Sequence, residues 1–188
     1  FIVVLFIGYY GYKNLYEEPL NSKAQKQLFI AEQYFEKDSF KTALNGNDIF
    51  DGLIVIINKY SNTQAGSLAK YYAGICYLNT GDYKNAIAIL DKYNSEDKLL
   101  LSIAKTAIGD AFSELNQPKE AIEYYNKAID IESNQLTTPI VLMKCAKLHE
   151  LENDYNNALK CYEAIKSNYP ESTTAKNIDK YINSMMDR

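Results

Sequence analysis

The sequence predicts an all-α fold: a solenoid of antiparallel helix pairs, closed by a C-terminal capping helix and preceded by the end of a transmembrane helix. Three observations predict it. Small residues recur in pairs twelve apart: Gly74 with Ala86, Gly109 with Ala121, Ala146 with Ala158. The pairs themselves recur, at steps of 35 residues from Ala86 to Ala121 and 37 from Ala121 to Ala158. That is close to the period of about 34 of a two-helix repeat, whose units stack because none can bury its apolar face alone. Finally, the chain opens on FIVVLFIGYYGY, an apolar run without helical periodicity.

Residues 1–20 are expected to form the anchor and a juxtamembrane linker. Twelve residues at 1.5 Å each reach about 18 Å, short of the roughly 30 Å bilayer core. Because the chain begins at Phe1 rather than Met, these residues are taken as the C-terminal part of a transmembrane helix. Tyr9, Tyr10 and Tyr12 fall where an interfacial aromatic belt belongs. A signal-peptide remnant fits less well, since no small-x-small cleavage site and no lipobox cysteine follow. A buried terminal helix is the third reading. In KNLYEEPL, Pro19 is expected to break the helix, and Asn21 or Ser22 to cap the next one.

The solenoid is expected over 21–188, in units of about 24–63, 64–100, 101–135 and 139–172, with a capping helix at 172–187. The first unit is degenerate. Ala31 and Ala43 keep the spacing, with Tyr34 and Phe40 as bulky partners, but NGNDIFDG interrupts the second helix with turn-forming residues. The helix should resume at DGLIVIINKY, after an insertion of about six residues. The next unit is the clearest, with helices over 64–79 and 83–93 and a turn at Gly81-Asp82. Ser95 to Asp97 should cap a helix running to about Leu115. Pro118 should open its partner, where a missing N–H costs nothing, and that helix should end near Glu132. SNQLTTP is a polar connection to the third unit. Ile178, Tyr181, Ile182 and Met185 follow i, i+3, i+4, i+7 on the capping helix.

The small residues are expected to let paired helices approach closely, with Ala86, Ala121 and Ala158 packing against Gly74, Gly109 and Ala146. Tyr77, Phe112 and His149 share one bulky slot three residues later, and Leu90, Tyr125 and Tyr162 share another on the second helix.

Composition excludes several functions. A formal charge of −4 and a pI near 5.1 argue against nucleic acid, whose binders carry a basic stripe. Three cysteines do not make a disulfide framework. Cys76, Cys145 and Cys161 read as small buried thiols, with a Cys145–Cys161 bridge possible in an oxidising compartment. No catalytic arrangement is found. His149, the single histidine, stands where sister repeats have Tyr77 and Phe112, so it reads as a packing substitute. A triad or zinc site needs more. The TGD turn at 80–82 lacks the glycines and lysine of a phosphate loop. Asp48 and Asp51 do not have calcium-loop spacing. No cofactor and no metal are expected.

The segment YYAGICYLNTGDYKNAIAIL, with its two successors, resembles the tetratricopeptide repeat (TPR), and the whole chain reads as a TPR-like α-solenoid. The resemblance implies a groove lined by the first helix of each unit. Carried over position by position, the groove residues are Leu28 and Phe35; Leu68, Tyr71, Ile75 and Leu78; Thr106 and Asp110; Met143 and Lys147. Tyr71, Thr106 and Met143 stand where carboxylate-clamping TPR domains need a basic residue, so capture of a chaperone's C-terminal tail is not expected. The stripe is either covered by the terminal helix or a stable partner, or open to extended or helical apolar segments.

The anchor, the insertion-bearing first unit, AKYYAGICYLNTGDYKNAI, IGDAFSEL and EAIKSNYPES together resemble the YfgM type of membrane-anchored, TPR-bearing ancillary subunit of the bacterial SecYEG translocon. The resemblance implies a single-pass inner-membrane protein with a periplasmic domain. Its implied partners are translocon subunits, a membrane-anchored periplasmic chaperone and unfolded or extended client segments. Its implied role is handling exported proteins. The alternative is a scaffold subunit of another cell-envelope assembly or secretion machine. The topology stays open, because the positive-inside rule needs residues on both sides of the anchor.

Overall fold

What decides the architecture is a short turn used four times among the described residues. The computed structural model describes Leu5, Gly8, Tyr10, Gly11 and residues 13–186, and divides into two compact units between Asn94 and Ser95. Most of the expected anchor, residues 1–4, 6, 7, 9 and 12, lies outside the described residues. Among the described residues, no helix is long and apolar enough to cross a membrane.

The first unit begins with a π-helical turn, Lys13–Glu17, that runs directly into α1, Glu18–Phe35. Pro19 therefore does not break the helix as expected, and Asn21 and Ser22 lie inside it rather than capping it. The reason is position. Pro19 sits in the first turn of α1, directly after the π-helical turn, where the change of helical pitch already departs from regular i→i−4 bonding. Two short helices follow, α2 (Phe40–Asn45) and α3 (Gly52–Lys59), then α4 (Gln64–Asn79) and α5 (Tyr83–Leu90). Thr63 caps α4: its hydroxyl accepts from the Gly66 amide at 2.9 Å and donates to the Tyr60 carbonyl at 2.8 Å. Helix α5 stops at Leu90 rather than at 93, and Tyr93 folds back, 4% exposed, into the unit. The core is built on small residues and aliphatics: Ala24, Ala31, Ala43, Leu53, Ile56 and Ala69 are fully buried.

The insertion between α2 and α3 is an ordered six-residue loop, 46–51. Gly46 (φ 77°) and Gly52 (φ 76°) close it, both in the left-handed region. They lie back to back, and a Cβ on Gly52 would come within 2.3 Å of the Gly46 amide nitrogen. Only glycine meets both demands. Asn47 pairs with Phe50 across the loop. Its side-chain amide donates to the Tyr34 hydroxyl at 2.9 Å, and its carbonyl oxygen accepts from the Ile49 amide at 2.9 Å. Phe50 stacks on Tyr34 with centroids 5.2 Å apart.

The second unit holds two helix pairs, α6 (Lys98–Glu114) with α7 (Pro118–Ile131) and α8 (Thr138–Leu151) with α9 (Tyr155–Asn168). Asp97 caps α6 by accepting from the Leu100 amide at 3.0 Å, and Pro118 occupies the first turn of α7. The 133–137 connection is organised by Asn134, whose side-chain oxygen accepts from the Leu136 and Thr137 amides at 2.9 and 2.8 Å. The terminal segment is not one α-helix. A 3₁₀ turn, Thr173–Asn177, capped by Ser172, precedes α10, Ile178–Met186. Ile178, Ile182 and Met185 are buried against Ala146, Ala158 and Tyr162, and Tyr181 packs on Tyr162 with centroids 5.2 Å apart.

In four places one helix ends and its partner begins within the same few residues. Asp38 (φ 55°), Gly81 (φ 80°), Asn116 (φ 59°) and Asn153 (φ 59°) are left-handed. At each, the following amide reaches back five residues to a carbonyl: Ser39 to Tyr34 and Asp82 to Tyr77 at 2.9 Å, Gln117 to Phe112 at 2.9 Å, and Asp154 to His149 at 2.8 Å. This is the Schellman closure of a helix C-terminus. Ser39, Asp82, Gln117 and Asp154 are also the N-cap residues of the next helices. Asp82 and Asp154 complete the cap with their carboxylates, accepting from Asn85 and Asn157. Hydrogen bonding to the Asn157 side chain is the leading cause that holds the Asp154 carboxyl below its ordinary 3.8.

The twelve-residue spacing works one turn away from where the sequence places it. The side chain over Gly74 is Leu90, not Ala86, and the ring over Gly109 is Tyr125, with Ala121 presenting its backbone carbonyl. A Cβ on Gly109 would lie 2.5 Å from two Tyr125 ring carbons. Gly109→Leu is expected to destabilise the second unit by about 1–3 kcal/mol through overpacking, read as a lower midpoint in urea. An unchanged midpoint would show that Tyr125 moves aside freely. At the turns, Asn116→Val is expected to cost about 1–2 kcal/mol, the penalty of a left-handed L-residue, while Asn116→Gly keeps or raises the melting temperature. Equal melting temperatures for Val and Gly at 116 would contradict the assignment.

Candidate functional site

Helix α4 carries the candidate site in the first unit. Leu68, Tyr71, Ile75 and Leu78 follow i, i+3, i+7, i+10, so they lie on one stripe of the helix, and all four are half-buried. Leu68 packs against the core on the inner edge of the stripe. Tyr71 is fixed edge-on to Tyr72, centroids 5.4 Å apart, and lies 5.7 Å from the ring of Tyr93. Burial pushes its phenol above the ordinary range. Phe35, at the end of α1, meets Tyr72 edge-on at 5.0 Å and Phe40 at 5.7 Å. Five rings thus run in a chain from Phe40 to Tyr93, and pack Tyr71 from one side.

Tyr72 also lies beside the Glu32 carboxylate of α1. Burial, with the carboxylate beside it, pushes the Tyr72 phenol up to about 12. The Glu32 carboxyl is raised too, chiefly by burial. Leu28, the remaining groove residue expected in this unit, is 5% exposed and belongs to the core. Its side chain supports α4 from beneath and offers nothing to a ligand.

The expected groove residues of the second unit have other partners. The Thr106 hydroxyl donates to the Ser102 carbonyl at 3.0 Å. Asp110 accepts from Lys144 Nζ through both oxygens, at 2.6 and 2.7 Å, and from the Tyr125 hydroxyl at 2.7 Å. This bridge joins α6 to α8 and orients the ring that covers Gly109. Burial, reinforced by Asp110, raises the Tyr125 phenol far above its ordinary value. Met143 is half-buried against the cluster that α10 completes. Lys147 is exposed. A second phenol–carboxylate contact, Tyr162 to Glu150, braces α9 against α8.

Sequence reasoning missed Tyr72, Tyr93 and Lys144. A signal for Lys144 existed: an opposite charge 34 residues after Asp110, close to one repeat. Nothing in the pattern marked Tyr93, because its return depends on α5 ending early.

The chemistry available here is contact chemistry. Cys76 and Cys145 are free and buried, and burial pushes both thiols up to about 12. Cys161 is free and half-exposed, and burial raises it as well. Thiols held protonated in this way are poor nucleophiles. His149 Nδ1 lies 3.2 Å from the Asp154 carboxylate, so it braces a turn rather than only filling space. Asp51 pairs with Lys59 at 3.3 Å, and its amide donates to Gln27. Among the described residues, no group of three His, Cys, Asp or Glu is placed to hold a metal ion.

Paired helices of this period, joined by such turns, define a class: helical repeat proteins that bind through side-chain surfaces. Family profiles described as tetratricopeptide repeat match residues 68–97, 104–135 and 141–172. The chain is a tetratricopeptide-repeat protein with a TPR-like solenoid fold, and proteins of this kind are generally non-catalytic scaffolds. It is similar to human tetratricopeptide repeat protein 29, 24% identical over an alignment of 142 residues that covers 71% of this chain and 29% of that protein. It therefore spans under a third of that relative's length. Among solved structures it is similar to nearly identical TPR-like repeats of a Podosopora anserina kinesin light chain and to a single-residue variant of them. Each has a TM-score of 0.64 at 12% identity, over 89% of this chain and 86% or 87% of theirs. At that identity the likeness is one of fold alone.

Proposed function

We propose that the chain is a protein-binding module of the bacterial inner membrane. It is held there by the segment ending near Tyr12, and is ancillary to the translocon in handling exported proteins. The observation that carries the binding role is the α4 stripe. A TPR helix presents Leu68, Tyr71, Ile75 and Leu78 half-exposed, with Tyr71 packed against neighbouring rings, and an aromatic anchor gives large contact area for little lost rotamer freedom. Apolar segments, extended or helical, are its natural occupants. The opening FIVVLFIGYYGY supports attachment. The translocon role rests on the resemblance of the whole layout to anchored TPR subunits. No residue cluster described above supports a catalytic step, so the module acts by holding.

The test is co-purification from native membranes after carbonate washing. The wild-type chain is expected to stay in the membrane pellet and to bring translocon subunits with it. Replacing Phe35, Tyr71 and Ile75 together with Ala should abolish that association while helicity and attachment persist. Phe35 also packs on Phe40 and Tyr72, so the Tyr71→Ala/Ile75→Ala pair serves as the variant that spares this contact. At about 1 kcal/mol or more per anchor residue, it should weaken association at least about tenfold. Full association of the folded double variant contradicts the stripe as the contact. Co-purification with a different envelope machine instead would favour the scaffold role.

A further inference from the structure

We infer that the first unit carries a second docking surface, where α1 meets the 46–51 loop, shaped for an acidic amphipathic helix of a partner protein. The surface is built by the insertion that sets this repeat apart. Loop 46–51 is pinned by Gly46, Gly52, the Asn47–Tyr34 hydrogen bond and the Phe50–Tyr34 stack. A further bond, from the Asp51 amide to Gln27 at 3.0 Å, ties it to α1. What this bracing holds in place is Ile49, 72% exposed. Between Ile49 and α1 lies a cleft of about 270 Å³, with Ile30 and Tyr34 on its floor and Lys37 on its rim. Ile30 also lines the adjoining hollow, together with Phe29 and Lys26. Phe29 is 60% exposed on a helix whose other large apolar residues are mostly covered.

The chemistry selects the occupant. Both charged residues lining the two hollows are lysines, and no carboxylate lines either. Asp48, next to Ile49 in the chain, lies outside both linings. Lys26 lies on α1, and Lys37 lies in the turn two residues past its last residue, Phe35. They bracket Phe29, Ile30 and Ile49. A partner helix of about three turns, with large apolar residues at i, i+3 or i+4 and i+7 and a carboxylate towards each end, would bury the apolar residues and pair with both lysines. A second copy of this chain fits poorly, because a two-fold contact through this face would set lysines against lysines. A lipid surface fits poorly too. The cleft between loop and helix is concave and takes a side chain, whereas a bilayer offers a broad plane. This face is separate from the α4 stripe, so its failure and that of the proposed function are distinguishable.

The probe is a phage library of random peptides about 16 residues long, enough for the three turns and their flanks, panned on the full 188-residue chain in detergent. Anisotropy with the synthetic consensus peptide follows. Enriched peptides are expected to combine helically spaced large apolar residues with Asp or Glu, and to bind more weakly as salt rises. Phe29→Asp/Ile49→Asp should weaken consensus binding at least about tenfold, and Tyr71→Ala/Ile75→Ala should leave it unchanged. Lys26→Glu/Lys37→Glu alters only exposed side chains, so it tests the surface even if the first pair disturbs folding. Panning on it should enrich basic peptides instead. No enrichment, a neutral or basic consensus on the wild type, or undiminished binding by both variant pairs overturns the proposal. It is also overturned if the Phe29/Ile49 pair abolishes binding to phosphatidylglycerol vesicles or self-association in sedimentation, while consensus binding is unaffected.

Discussion

The structure depends on a turn in which one residue finishes a helix and starts the next. A helix end leaves carbonyls without partners, and a helix start leaves amides without partners. Ser39, Asp82, Gln117 and Asp154 serve both ends. Each donates its amide five residues back and occupies the N-cap of the following helix. The preceding residue must then be left-handed, which Asp38, Gly81, Asn116 and Asn153 are. Glycine does this freely, and Asn and Asp do so at smaller cost than other residues. A turn this short leaves the paired helices no freedom of register.

The packing follows from that fixed register. With the helices locked antiparallel, Leu90 and Tyr125 fall directly over Gly74 and Gly109, and Tyr162 takes the equivalent place beside Ala146. The carbonyls that accept the turn bonds belong to Tyr34, Tyr77, Phe112 and His149, so the bulky slot of each repeat is also its C-terminal anchor. In the second unit the ring over Gly109 is held by Asp110, and Asp110 by Lys144 of the next helix pair. In the first unit the same logic leaves α4 with one side in the core and the adjoining stripe half-covered.

The repeat was legible because its signal is steric. Only Gly or Ala fits where helices touch, so the twelve-residue pairs stand out without any alignment. The six-residue insertion was legible for the same kind of reason, since Gly46 and Gly52 flank a run no helix tolerates. Other features turned on context the pattern does not carry. Pro19 is harmless in a first turn and disruptive two turns later, and the sequence around it does not say which. Leu28 matched a groove position by repeat numbering, but it is buried in the core that α1 shares with α2, α3 and α4. Asp110 looked available because its partner lies a repeat away. Asn116 and Asn153 were ordinary polar residues until their backbone angles were seen. The proposed partner surface on α4 was placed by resemblance, and the ring contacts of Tyr72 and Tyr93 with Tyr71 were not foreseen.

Amide hydrogen exchange at the four doubly used residues tests this dependence most directly. If the turns fix the register, the amides of Asp82, Gln117 and Asp154, and of Ser39 in the degenerate repeat, open only with their own unit. They should then exchange as slowly as mid-helix amides such as Ala73 and Ala107. Exchange at the rate of exposed loop amides such as Asp48 and Gln135 would mean that the turns fray independently, and that helix packing alone sets the register.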